Sequence, residues 1–255
     1  MQNKLFISFF ICLLSVTQFS CVPKNNSKRI IVASYGKVES LDPARVTTLK
    51  AFQLLASLGD TLYVINNDGK LVPKLALGMP IISDEKLKIT INLKENIYFH
   101  DGTQFDAKAM KFTIDRFRRI GLNNYILGDK INFVETPSKF QLVLNLNKPS
   151  SSINALLTSL NLTPISPTFY KDYSNNFLND NFIGTGKYLL KNFSNEKQIL
   201  SPNNKYWGLK PKNDGINFIG YENSSSLYGA LKSKQIDVLL SNSIEDIQRN
   251  ELNLT

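Results

Sequence analysis

Histidine is almost absent from this chain, and that scarcity alone removes several kinds of chemistry. His100 stands alone among 255 residues, so no metal site can be built on paired histidines. Only two cysteines occur, Cys12 and Cys21, and both lie in the first 21 residues. The remainder therefore has neither a disulfide nor a reactive thiol. A Ser-His-Asp site would have to recruit His100, which sits in a turn. The sequence has no Gly-x-Ser-x-Gly, Gly-x-Gly-x-x-Gly or Gly-Lys-Ser/Thr stretch, so the nucleophile elbow and the usual phosphate loops are missing too. Nor is there an apolar run near the ~20 residues that cross a bilayer as a helix.

Acidic residues are also in deficit. Lys and Arg number 30 against 21 Asp and Glu, a formal charge of +9. Such a balance raises nucleic acid or anionic lipid as partners. The composition argues against a specific basic face. The 24 lysines far outnumber the 6 arginines, they are spread along the chain, and 28 asparagines accompany them. This reads as a diffuse solvated surface with no nucleic-acid partner. Hydrophobic residues make up 42% and aromatics 11%, enough for a packed globular core in one large or two ordinary domains.

The clearest local signal runs from Leu87 to Gly121. Leu87, Ile89, Ile91 and Leu93 alternate with Lys88, Thr90, Asn92 and Lys94, which predicts a half-buried strand. Phe99-His100-Asp101-Gly102 then predicts a turn in which Gly102 takes positive φ. Asp106 is placed to cap a helix with Met110, Ile114 and Phe117 on one face. Phe140, Leu142, Leu144 and Leu146 alternate again, predicting a second strand that pairs with the first. Elsewhere, Arg29–Tyr35 reads as a core strand, and Ala44 to about Thr61 as a helix with Leu49, Phe52, Leu55 and Ala56 on its apolar side. Asp42-Pro43 would cap and start that helix. Ile216–Tyr221, Ser224–Ser233 and Ile236–Leu240 read as strand, helix and strand, which implies an α/β layer with parallel pairing. Tyr63 and the lone tryptophan, Trp207, are expected to be packing anchors.

At the N-terminus, Lys4 precedes the apolar run Leu5–Val16, and Ser20-Cys21 follows. This is the layout of a signal peptide and implies export. Two outcomes fit the sequence: processing at Cys21 with lipid attachment, or ordinary cleavage. Val22–Lys28 then reads as a short tether.

Several of these stretches resemble one family in order: the bacterial extracellular solute-binding proteins of family 5, the peptide- and nickel-binding components of ABC importers. The resemblance rests on five motifs: Ser40-Leu41-Asp42-Pro43, Leu71-Val72-Pro73-Lys74-Leu75-Ala76 after Asn67-Asp68-Gly69, and the strand–turn–helix around Phe99-His100-Asp101-Gly102. Gly184-Thr185-Gly186-Lys187-Tyr188 and Asn203-Asn204-Lys205-Tyr206-Trp207-Gly208 complete the set. In the helix opening, Lys108 and Ala109 stand where the family carries acids that complement the helix dipole.

The resemblance implies an α/β, periplasmic binding protein-like fold of class II, cluster C type. It comprises a first lobe (22–45 and 168–255) and a small α/β subdomain (46–167), with residues 1–21 as a lipoprotein-type leader. Members of the family are about twice as long, so the expected second lobe is missing and the chain reads as truncated, split or a remnant. The implied function is solute binding for an ABC permease, on the periplasmic side of the cytoplasmic membrane and anchored to it through Cys21. The solute would be an oligopeptide or similar small molecule, bound without a cofactor or a metal. A separate chain is a candidate source of the second lobe. Tyr35, Val38, Glu39 and Ser40 are the implied ligand-binding residues, because the segment before Leu-Asp-Pro lines the ligand cleft in this family. The competing expectations are an exported hydrolase using His100 and a nonfunctional or structural lipoprotein fragment.

Overall fold

The computed structural model describes residues 28–240, apart from 126–129, 151 and 153–155. The expected leader, Cys21 and most of the tether lie outside the described residues, as does 241–255.

The alternating segments form the centre of a four-stranded sheet. Strand β5 (Lys88–Asn92) pairs antiparallel with β7 (Gln141–Leu146), with Ile89 opposite Leu144 and Ile91 opposite Leu142. These four side chains are buried. Strands β4 (Ile81–Ile82) and β6 (Ile131–Ser138) flank them in the order β4-β5-β7-β6. Helix α2 (Ala107–Ile120) supplies Met110, Ile114 and Phe117 to the same cluster. Asp106 caps it through Ala109 N at 2.9 Å, and Arg118 and Arg119 in its last turn complement the negative end of the helix dipole. Gly102 has φ +85°, as an Asp-Gly turn requires. A short hairpin of β2 (Tyr63–Ile65) and β3 (Leu71–Pro73) turns at Gly69, φ +74°. Tyr63 is fully buried beside this core, as expected of a packing residue.

The second sheet has five strands in the order β11-β1-β10-β9-β8. Strand β1 (Ile30–Tyr35) lies between β10 (Ile216–Tyr221) and β11 (Val238–Leu239), parallel to both, with helix α4 (Ser224–Lys232) crossing between them. Alternation along β1 places Ala33 with Leu227 and Ala230 of α4, whereas Val32 joins Phe218 and Leu200 on the other face. Helix α1 (Leu49–Leu58) covers that other face. The antiparallel hairpin of β8 (Tyr188–Phe193) and β9 (Lys197–Pro202) extends the sheet beyond β10. Helix α3 (Pro167–Tyr170) follows the irregular crossing at 163–166.

Helix α1 departs from the sequence expectation. It begins at Leu49, because Asp42 caps a separate turn at Ala44 and Thr48 caps the helix itself through Ala51 N. The buried face is then Ala51, Leu54, Leu55 and Leu58, while Leu49 is 59% exposed and Ala56 is also exposed. Four of the five side chains buried on α1 are apolar, and all four belong to the cluster of the five-stranded sheet.

Two buried carboxylates tie the layers together. Asp42 takes a bidentate pair from Arg116 of α2, at 2.8 and 2.5 Å, and also accepts from Leu178 N and Ala44 N. Asp60 accepts from Lys74 at 2.9 Å, Trp207 Nε1 at 3.0 Å, Tyr206 at 3.1 Å and Thr185 at 3.2 Å. Trp207 is thereby a packing and hydrogen-bonding anchor, with the Lys94 ammonium over its ring. The Gly184-Thr185-Gly186 stretch also has a structural reason. Gly186 N donates to Leu58 O at 2.9 Å, and a Cβ on Gly186 would stand 2.3 Å from the Leu58 carbonyl carbon.

Candidate functional site

Parallel strands leave a crevice outside their carboxyl ends, where connections depart in different directions and backbone groups go unpaired within the sheet. In this fold that place is the end of β1, between β10 and β11. The chain leaves Tyr35 through Gly36, whose φ of +84° makes the turn. Gly36 N donates to Tyr221 O at 2.8 Å, and Val38 N donates to Asn195 O in the β8–β9 turn at 2.8 Å. Ser40 Oγ donates to Asn179 and accepts from Asp42 N, which fastens the far end of the segment.

These anchors decide which side chains face outward. Val38 is fully buried in the core beside α1, and Ser40 is buried at its anchoring bonds. Tyr35, 55% exposed, and Glu39 project outward, together with Lys37. Of the four implied ligand residues, Tyr35 and Glu39 offer side chains, while Val38 and Ser40 hold the backbone that carries them. A recess of about 220 Å³ opens beside Glu39, with Lys37, Arg45, Thr48 and Leu122 among its walls.

Apart from Glu39, which the family motif located, the sequence reading missed the charged residues of this wall. Lys37 pairs with Glu196 at 2.9 Å and reaches Glu222 at 3.7 Å. Hydrogen bonding between Lys37 and Glu196 raises the lysine pKa and lowers that of the glutamate. Lys50, on the buried side of α1, donates its ammonium to Gly36 O directly beneath the segment. Burial lowers its pKa to about 8. Gly220 makes room for it, since a Cβ there would lie 2.7 Å from Lys50 Nζ. A lysine beside an apolar helical stripe reads as solvated, so nothing in the sequence marks it.

His100 is elsewhere. Its Nε2 faces Gly186 O at 3.1 Å, and burial lowers its pKa, so the ring is held neutral. The adjacent Asp101 takes its hydrogen bonds from Thr103 and Ser166. Among the described residues the one side-chain bond His100 makes is to that carbonyl, so it is paired with no hydroxyl nucleophile. The residue ties the signature turn to the Gly184–Gly186 stretch rather than standing apart from the packing. Among the described residues, no three His, Cys, Asp or Glu side chains gather as a metal site.

Known proteins resemble this chain over much of its length. A sequence profile described as bacterial extracellular solute-binding proteins, family 5 middle, matches residues 70–254. The probable D,D-dipeptide-binding periplasmic protein DdpA of Escherichia coli is 27% identical over 183 residues, which is 68% of this chain and 35% of the relative. The glutathione-binding protein GsiB of Salmonella paratyphi A is 27% identical over 205 residues, 78% of this chain and 40% of the relative. Among solved structures, NikZ of Campylobacter jejuni, in complex with Ni(L-His), superposes with a TM-score of 0.80 at 22% identity, covering 89% of this chain and 45% of that one. A dipeptide-binding protein of Pseudoalteromonas in complex with Met-Leu gives 0.80 at 19%, covering 89% and 49%. The described α/β architecture is therefore that of periplasmic binding proteins, and the chain spans less than half the length of these relatives. With the profile running across most of its length, the chain belongs to the bacterial extracellular solute-binding proteins of family 5.

Proposed function

We propose that this chain is the solute-binding component of an ABC importer. It would take up a peptide-like or other small solute on the periplasmic side of the membrane and deliver it to a permease. The observation that carries the reading is the outward trio of Tyr35, Lys37 and Glu39, held at the carboxyl ends of adjoining parallel strands by buried anchors. With Lys37 already paired to Glu196 and close to Glu222, an aromatic ring beside the Glu39 carboxylate suits a solute that carries an ammonium group, such as the amino end of a peptide. Family membership supports this assignment, as do the names of DdpA and GsiB, which refer to a dipeptide and to glutathione. Binding and release would proceed by closure around the solute without covalent chemistry. Attachment to the membrane through a lipid on Cys21 belongs to the same proposal.

The described residues offer one wall of the cleft. Closure needs a second wall opposite Tyr35 and Glu39, either from further residues of the polypeptide or from a separate chain. A small solute must bury most of its surface to offset the cost of immobilising it, so a single wall holds it weakly, with Kd in the millimolar range or above. The test is a titration of purified residues 22–255 with a mixture of di- to pentapeptides and with glutathione, followed by NMR. Weak, saturable shifts at Tyr35 and Glu39 that disappear in the double variant Tyr35→Ala, Glu39→Ala support the proposal. Micromolar binding by a monomer would refute the single-wall argument. No shift at tens of millimolar solute would overturn the solute-binding reading and favour a structural role.

A further inference from the structure

Helix α1 carries one charged side chain, Lys50, and it lies on the buried side of the helix. The residue is only 9% exposed. Among the described residues it forms no ion pair, and its ammonium donates to Gly36 O. Glu196, in the β8–β9 turn, is the carboxylate whose charge it feels, and that group is already held by Lys37 at 2.9 Å. The other ionisable groups on the elements that meet here are Lys37 and Glu39 of the segment, Lys197 at the start of β9, and Tyr221 and Glu222 at the end of β10.

Burying an ammonium without a counterion is costly, and an apolar side chain of similar length would fill the same place without that cost. The lowered pKa of about 8 expresses the same penalty. Core packing therefore does not account for a lysine at this position. What Lys50 does hold is the carbonyl on which the shape of the outward segment depends. Gly36 sits at φ +84° and has no Cβ, so the peptide plane between Gly36 and Lys37 has more than one accessible orientation. Gly36 N is fixed by Tyr221 O and Val38 N by Asn195 O, each at 2.8 Å. Gly36 O, between them, is fixed by Lys50. Gly220 keeps the space open, since a Cβ there would stand 2.2 Å from Gly36 O and 2.7 Å from Lys50 Nζ. Two glycines and one lysine are thus matched where β1 and β10 end side by side.

We propose that Lys50 is a positioning residue for solute binding: its ammonium sets the Gly36 carbonyl, and through it the outward placement of Tyr35 and Glu39, although its burial destabilises the fold. The role presupposes the solute-binding function proposed above, and it gives a part to a side chain that does not touch the solute.

Lys50→Met separates this role from a structural one, because the two differ in sign. Removing a merely structural lysine would lower melting temperature and affinity together. Here the full-chain variant at pH 7.5 should melt at or above the temperature of the parent, while its affinity for glutathione and for di- to pentapeptides, followed by NMR, falls about threefold or more. The bond itself is read from the Gly36 carbonyl carbon. Its chemical shift should follow pH with a midpoint near 8 in the parent and should not do so in the variant. The proposal is overturned by a folded variant that binds within about twofold of the parent, by a variant melt more than about 3 °C below the parent, or by a Gly36 shift without that titration. A parent that shows no saturable shift with any of these solutes removes the solute-binding function itself, and this role with it.

Discussion

Removing Arg116 should be among the most damaging single substitutions in this protein. Its guanidinium is almost completely buried and donates to both oxygens of Asp42, to Tyr173 O at 2.8 Å and to Asn176 O at 2.7 Å. Arg116→Met preserves much of the volume but strands a carboxylate that is itself fully buried. Leu178 N and Ala44 N still reach Asp42, so the anion keeps part of its support. Breaking a buried pair by deleting one partner costs about 3–5 kcal/mol, which for a chain of this size lowers the melting temperature by roughly 10 °C. Asp42→Ala strands the cation instead and should cost a similar amount. The double variant should cost well under the sum, by about 1–3 kcal/mol of coupling, because no uncompensated charge remains. Scanning calorimetry of the four proteins is the assay. Additive losses, or an Arg116→Met melt within 3 °C of the parent, would refute the claim that this pair is a mutually dependent buried unit.

Other consequences can be checked in the same preparations. Gly186→Ala drives a methyl into the Leu58 backbone and should destabilise by about 2 kcal/mol or more, whereas Gly102→Ala meets open space at φ +85° and should cost only about 1 kcal/mol; comparable melts would contradict this order. Lys50 has a folded-state pKa near 8 against 10.5 unfolded, so the unfolded chain binds more protons between those values and stability should rise with pH across that window. The rise should be on the order of 1–3 kcal/mol and should be absent from Lys50→Met, as read from urea midpoints at pH 7.5 and 10.5. Cys21→Ala should release the protein from the membrane fraction or block its processing, and unchanged attachment would rule out lipidation at that residue.

Much of the architecture was legible because burial follows period. Ile89, Ile91, Leu142 and Leu144 face one core and alternate cleanly, and Met110, Ile114 and Phe117 recur at helical spacing. Strands β8 and β6 escaped this reading for a physical reason. The β8–β9 register shifts between Leu190 and Asn192, and that of β6 slips on both sides of Phe133–Glu135, so neither strand keeps a period of two. The face of α1 was misassigned because two caps, Asp42 and Thr48, compete within a few residues and the second sets the phase. Asp60 carries no sequence signal at all. Gly59-Asp60-Thr61 falls at the end of the expected helix, and the carboxylate is buried only because Lys74, Thr185, Tyr206 and Trp207 converge from distant segments. The candidate site was partly legible. The family motif located the segment, but only the anchors at Asn195 and Asn179 determine that Tyr35 and Glu39 face out while Val38 faces in.

The Gly184–Gly186 ribbon has a mechanical meaning. Gly186 N is held by Leu58 O at the end of α1, Gly186 O receives both His100 and Asn203, and Gly184 O receives His100 N from the signature turn. With no side chain at either glycine and backbone packed within contact distance, this joint has no slack in which a dihedral could swing. The seam thus ties the end of α1 to the Phe99–Gly102 turn through backbone alone. In the closure proposed above, the pivot would lie outside this seam.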